Sequence, residues 1–126
     1  MYIDTHCHLQ FSHFDSDRPM VIGNAKKAGV KQIIVPGVDM RSKTDAVLLA
    51  SKHPHEIFAA IGFHPYEAQK ITPEIASQKL EELLSSSRDH IVAIGECGLD
   101  YHIYKDEQAV SKKSIQKELF STQLRL

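Results

Sequence analysis

Gln32-Ile33-Ile34-Val35-Pro36-Gly37 is the stretch on which the fold turns. Three successive β-branched residues, closed by a proline and a glycine, suit a short strand rather than a helix. With no polar residue breaking the run from Ile33 to Val35, the strand is expected to be buried on both faces, as in a parallel sheet. Similar runs flank it: Tyr2-Ile3-Asp4-Thr5-His6 before, then Ile57-Phe58-Ala59-Ala60-Ile61-Gly62 and Ile91-Val92-Ala93-Ile94-Gly95 after. Helical patterns lie between them. Pro19 opens the first, and Gly29 follows it as a left-handed cap. Ser42 is expected to cap the second, which carries Ala46, Leu49 and Ala50 on one side. Thr72-Pro73 starts the third, whose apolar stripe is Ile75, Ala76, Leu80, Leu83 and Leu84. The alternation predicts an α/β fold of about four βα units with parallel strands. A last helical pattern (Ile115, Leu119, Phe120, Leu124) runs off the chain end at Leu126 without a stop signal, and its apolar face needs an element to lie against.

The totals bound the rest. At 126 residues, with 42% hydrophobic and 25% charged side chains, the chain matches one ordinary globular domain. A net charge of -1 advertises no nucleic-acid or membrane surface. Lys105, Lys112, Lys113 and Lys117 cluster near the end, where a solvated helix face is the plain explanation. The two cysteines, Cys7 and Cys97, cannot build a disulfide framework and are expected to be small buried hydrophobes in a reducing compartment. Asp4, His6 and His8 interrupt any leader-like apolar core, and no apolar run approaches the roughly 20 residues that span a bilayer. A soluble, cytoplasmic protein with no membrane partner is expected.

Reactive groups in parallel α/β folds gather where strands end at their carboxyl side. This sorts the eight histidines. His6 and His8 follow the first strand, His64 the third, and His102 trails the fourth. His53, His55 and His90 precede strands and belong to the opposite end, while His13 is expected at the surface. His6 and His8, one residue apart on an extended segment, point to one side and can converge on a metal ion, with Cys7 turned away. Asp4 shares their parity and is expected behind them as a supporting carboxylate, since a ligating imidazole needs a partner for its other nitrogen. Glu96 ends the fourth strand between Gly95 and Gly98, where its carboxylate can bridge two divalent ions. His64, in Gly62-Phe63-His64-Pro65, can orient a phosphate oxygen or protonate a leaving group. Glu96 and His64 are thus the candidate catalytic groups, and Asp100 and Tyr101 are expected to shape the substrate pocket.

Three blocks, Tyr2-Ile3-Asp4-Thr5-His6-Cys7-His8-Leu9, Gly62-Phe63-His64-Pro65 and Ile94-Gly95-Glu96-Cys97-Gly98-Leu99-Asp100-Tyr101, resemble the TatD family of metal-dependent hydrolases, DNase-like members of the amidohydrolase superfamily. The closing Gln123-Leu124-Arg125-Leu126 is similar to the helix that follows the glutamate block there. The resemblance implies a TIM (β/α) barrel with a two-metal centre. It assigns His6 and His8 to one metal, Glu96 as the bridge, and His64 near the substrate phosphate. It also implies further ligands on later strands that this sequence does not contain. Residues 1–126 are therefore expected to form one incomplete TIM-barrel domain, its N-terminal half.

The leading functional expectation is a metal-dependent hydrolase of phosphodiester bonds acting on DNA, at strand ends, with magnesium, manganese or zinc. Inactivity or weak activity is expected of the isolated chain, because three donors under-hold two metals. Completion would come from a missing C-terminal half-barrel or from self-association. Two alternatives remain open: an amide or ester hydrolase of the same superfamily, and a non-catalytic half-barrel assembly module.

Overall fold

A computed structural model of the chain describes residues 1–102 and 113–126. Four strands, β1 (Tyr2–Asp4), β2 (Val30–Pro36), β3 (Ile57–Ile61) and β4 (Ile91–Ile94), form one parallel sheet in the order β1-β2-β3-β4. Each step moves to the next neighbour through a helix: α1 (Arg18–Lys27), α2 (Met40–Lys52) and α3 (Pro73–Ser87). Crossovers of one hand stepping always the same way leave every helix on one face. This is the start of a (β/α) barrel, with all strand ends that carry loops to α1, α2 and α3 at one rim.

The core lies between sheet and helices. Ile33 and Val35 of β2 and Ile57, Ala59 and Ile61 of β3 meet Ala46, Val47, Leu49 and Ala50 of α2, with Ala76, Leu80 and Leu119 completing the cluster. At roughly 1.5–3 kcal/mol for each fully buried large aliphatic side chain, this face supplies most of the driving force. The other face of the sheet is open. Ile34 and Phe58 are only half-buried, and Val92 is 52% exposed, so the expected burial of β2 on both faces does not hold among the described residues. Nothing in those residues covers the inner face.

Local signals mostly act where the sequence puts them. Pro19 sits in the first turn of α1, and Gly29 takes a φ of 95°, a conformation that costs a side chain dearly. Thr72 caps α3 by accepting the Ile75 N–H. The cap of α2 is Asp39, not Ser42. Asp39 Oδ1 accepts the Ser42 N–H at 2.7 Å, and Ser42 Oγ returns by accepting the Asp39 N–H at 3.0 Å, a reciprocal box with serine at its third position. Ile75 is 48% exposed and falls outside the buried stripe of α3, which is Ala76 and Leu80 flanked by half-buried Leu83 and Leu84.

The final helix, α4 (Lys113–Gln123), packs on α3 and on the 3-10 turn Pro65–Gln69, which answers the need for a covering element. Leu119 is buried and Leu124, beyond the helix end, is exposed. Lys113 and Lys117 are exposed on α4, as a solvated face requires, whereas Lys105 and Lys112 lie outside the described residues. Among those residues, no helix is long and apolar enough to cross a membrane.

Candidate metal centre

β1 ends at Asp4, two residues earlier than its sequence pattern suggests, so strand alternation is not what brings His6 and His8 together. They converge from the loop that follows. The Cys7 N–H still donates to the Ile34 carbonyl at 3.1 Å, which keeps the segment against β2 and turns both rings to the rim. His6 Nε2 and His8 Nε2 stand 3.2 Å apart. Glu96 Oε2, from the end of β4, lies 3.6 Å from the first and 3.7 Å from the second.

The protonation of His8 follows from its other nitrogen. Nδ1 lies 3.1 Å from the Pro36 carbonyl, which can only accept, so Nδ1 carries the proton and Nε2 presents a lone pair. The same carbonyl accepts from Gln10 Nε2 at 2.7 Å. For His8 the supporting partner is thus a β2 carbonyl, while Asp4 Oδ1 accepts the His6 backbone N–H at 3.1 Å. Phe11 stacks on the His8 ring at 4.7 Å between centroids and holds its plane.

Glu96 is placed by close backbone contact. Its N–H donates to the Gly37 carbonyl at 3.0 Å, and the Gly95–Glu96 peptide runs beside Gly62. A Cβ at Gly62 would stand 2.6 Å from the Gly95 carbonyl carbon, so only glycine lets β3 and the Glu96 backbone approach this far. Glu96 Oε2 is buried and, among the described residues, accepts no hydrogen bond. Three electron-rich atoms facing one another at this range repel unless a proton or a cation sits among them. Their separations of 3.2, 3.6 and 3.7 Å lie within about 0.1 Å of the roughly 3.3–3.6 Å edges of a tetrahedron with bonds of 2.0–2.2 Å, so the donor set fits a divalent ion. Among the described residues, His6, His8 and Glu96 form the group able to hold a metal.

His64 takes the opposite tautomer. Its Nδ1 accepts the Tyr66 N–H at 3.2 Å, so in the neutral ring Nε2 bears the proton, 3.9 Å from Glu96 Oε1. It is a donor facing the carboxylate, not a lone pair seeking a metal. A cavity of about 300 Å³ opens here, lined by His8, Phe11, Val38, His64, Tyr66, Glu67 and Glu96. Phe11, Tyr66 and Glu67 did not stand out in the sequence, although Tyr66 and Glu67 follow directly on His64-Pro65. Asp100 and Tyr101 do not line the cavity: the Asp100 backbone is tied to Gln116, and Tyr101 is half-exposed with Lys113 Nζ 4.4 Å from its ring centre.

Burial, aided by the neighbouring Asp4 carboxylate, pushes the Cys7 thiol up, and burial with Glu96 does the same for Cys97. Both remain protonated, partly buried thiols outside the donor triangle. His13, His55 and His102 are exposed, and His53 and His90 lie at the opposite end, as ordinary histidines would.

The family model for TatD-related DNases matches residues 3–126. The chain belongs to the TatD-related DNase family. It is 41% identical over 126 residues to YabD of Bacillus subtilis, described as an uncharacterized metal-dependent hydrolase, and covers 46% of that protein. It is 35% identical over 121 residues to a 3'-5' ssDNA/RNA exonuclease TatD of Pectobacterium carotovorum, covering 96% of this chain and 44% of the relative. The crystal structure of YjjV, a TatD homologue from Escherichia coli, superposes with a TM-score of 0.81 at 31% identity, over 98% of this chain and 45% of YjjV. The TatD-related chain thus spans a little under half the length of these relatives, and its fold is a partial TIM barrel.

Proposed function

We propose that the chain carries part of a two-metal hydrolase centre that cleaves phosphodiester bonds at DNA strand ends. The observation that carries this reading is the triangle of His6 Nε2, His8 Nε2 and Glu96 Oε2, with the glutamate oxygen buried and without a hydrogen-bond donor among the described residues. His6 and His8 would hold one ion and Glu96 would bridge it to a second, as magnesium, manganese or zinc. Such ions supply Lewis-acid stabilisation of the charge that develops on phosphate oxygens.

The chain's own residues do the remaining work. The Pro36 carbonyl keeps the His8 proton on Nδ1 and its lone pair on the donor side. His64 offers Nε2–H to the cavity, where it would orient a phosphate oxygen or pass its proton to the leaving oxygen. Phe11 and Tyr66 bring ring surface to the same cavity, and a base of a single strand can stack on such a face. The near-zero net charge favours a grip on one strand end over a broad basic groove. The relative described as a 3'-5' ssDNA/RNA exonuclease supports this substrate class.

A catalytic metal needs about three protein donors and an open position. Three donors shared by two ions fall short, so the others would come from strands beyond this sequence or from another copy. We therefore expect little or no activity from the 126 residues alone.

The test is hydrolysis of a short end-labelled single-stranded DNA with and without magnesium or manganese, beside an ester substrate. It uses this chain and the longer protein that completes the barrel. In the completed barrel, Glu96→Gln should lower metal-dependent cleavage by about a hundredfold or more, since partners that merely support a ligand already cost about 10- to 100-fold. Unchanged cleavage would sink the role of Glu96, and ester without DNA hydrolysis would move the substrate class. Cleavage by the isolated chain that disappears in His6→Ala would mean that a second copy supplies the missing donors.

A further inference from the structure

Two glutamines of α4, Gln116 and Gln123, are 1% and 2% exposed. Burying a carboxamide is unfavourable unless both its donor and its acceptor are satisfied. Each is satisfied in the same way. Gln123 Oε1 accepts the Phe63 N–H at 2.7 Å, and Gln123 Nε2 donates to the Phe63 carbonyl at 3.0 Å. Gln116 Oε1 accepts the Asp100 N–H at 2.9 Å, and Gln116 Nε2 donates to the Asp100 carbonyl at 2.8 Å.

One amide therefore closes a two-bond ring with one residue's own N–H and C=O, as a strand neighbour does in an antiparallel pair. Phe63 has left β3, which ends at Ile61, and Asp100 has left β4, which ends at Ile94. At both points the sheet's ladder has run out and a side chain takes its place. Seven residues separate the two glutamines, about two turns or ~10.5 Å along one helix face.

The two loops so held carry the site. Phe63 precedes His64, whose own N–H donates to the Val38 carbonyl at 2.9 Å. Asp100 closes the loop that begins with Glu96 and takes the His102 N–H on its Oδ1 at 2.9 Å. We propose that α4 is a two-point brace in which Gln123 and Gln116 are positioning residues that set His64 against Glu96. Neither glutamine lines the cavity. They act through the backbone of the loops. The part of this inference that concerns the metal rests on the reading of His6, His8 and Glu96 as donors.

The test uses the whole chain with Gln123→Met and Gln116→Met, substitutions that keep side-chain length and remove both bonds, with circular-dichroism melts as a fold check. Amide hydrogen exchange reads the brace without any metal. In Gln123→Met the Phe63 N–H should exchange about tenfold faster, while the Asp100 N–H and the ladder amides of Gly37 and Gly95 keep their rates. Gln116→Met should show the reverse, faster at Asp100 and unchanged at Phe63. Added Mn²⁺ gives the second readout. Its paramagnetic broadening of the His64 ring signals should weaken in Gln123→Met while that of His6 and His8 persists.

Unchanged exchange at both amides would overturn the brace. So would an equal rise at Gly37 and Gly95, which would mean that the glutamines only hold the helix on the core. Unchanged broadening of His64 in Gln123→Met would overturn the positioning role. Absence of broadening at His6 and His8 in the unaltered chain would refute the metal reading alone, and the exchange pattern would still decide the brace. If Gln123→Met fails to fold, Gln116→Met decides by the same criterion at Asp100.

Discussion

Lys43 is the residue whose chemistry most departs from its type. It is fully buried on α2, with Nζ 3.1 Å from the centre of the Phe63 ring and 3.3 Å from Met40 Sδ. An ammonium over a ring face is attracted to it, yet neither partner replaces the hydration lost. Burial pushes the amine down to about 7, against partial support from the Asp39 and Glu67 carboxylates. An unfolded lysine titrates near ~10.4, so between these two values the folded chain binds fewer protons than the unfolded one. Stability should therefore rise as pH climbs above about 7, and the penalty is complete below it. Melting followed by circular dichroism should give a higher Tm at about pH 8.5 than at about pH 6.5. Lys43→Met should raise the Tm at the lower pH and flatten that slope. A lower Tm in the variant with the slope intact would show that the amine is not what titrates.

At the scale of elements, the start of α2 connects stability to the site. The box between Asp39 and Ser42 also ties down Val38, whose N–H donates to Ser42 Oγ at 2.9 Å and whose carbonyl accepts the His64 N–H. Burial alone would raise the Asp39 carboxyl, but hydrogen bonds from Ser42 and from the Arg41 N–H outweigh it and hold the group below its usual range. Removing such a cap costs about 1 kcal/mol, within a range of roughly 0.5–2. Asp39→Ala should lose about that much in urea unfolding, and Asp39→Asn should keep most of it. Equal losses in both would assign the effect to charge rather than to the cap geometry.

For the whole molecule, the open face of the sheet is the dominant feature. Among the described residues β1 and β4 are both edge strands, and Ile3 and Val92 upon them are 51% and 52% exposed. Unpaired parallel edges beside exposed apolar side chains are templates for association. Sedimentation velocity should find the purified chain self-associating at high micromolar concentration, and Val92→Lys should shift it toward monomer. A monomer throughout that binds no hydrophobic dye would mean that this face is satisfied without a partner.

What could be read from residues alone was what local chemistry decides. The branched run Ile33–Val35 and the apolar run Ile57–Ile61, and helix signals at Pro19, Gly29 and Thr72, act through backbone preferences that hold before any tertiary contact forms. The candidate donor types at positions 6, 8 and 96 were legible for a related reason: each follows the carboxyl end of a strand pattern, where reactive groups gather in parallel α/β folds. Their convergence was not local. It depends on a loop held to Ile34, on the Pro36 carbonyl that fixes the His8 tautomer, and on Gly62 yielding space to the Glu96 backbone. The roles of Gln116 and Gln123 were equally hidden, because a glutamine on a helix becomes a backbone partner only when a loop 16 or 60 residues earlier has run out of ladder bonds beside it. Sequence determined the elements and the candidate donor types of this protein. Tertiary structure decided which lone pairs face one another, because that depends on distances between segments far apart in the chain.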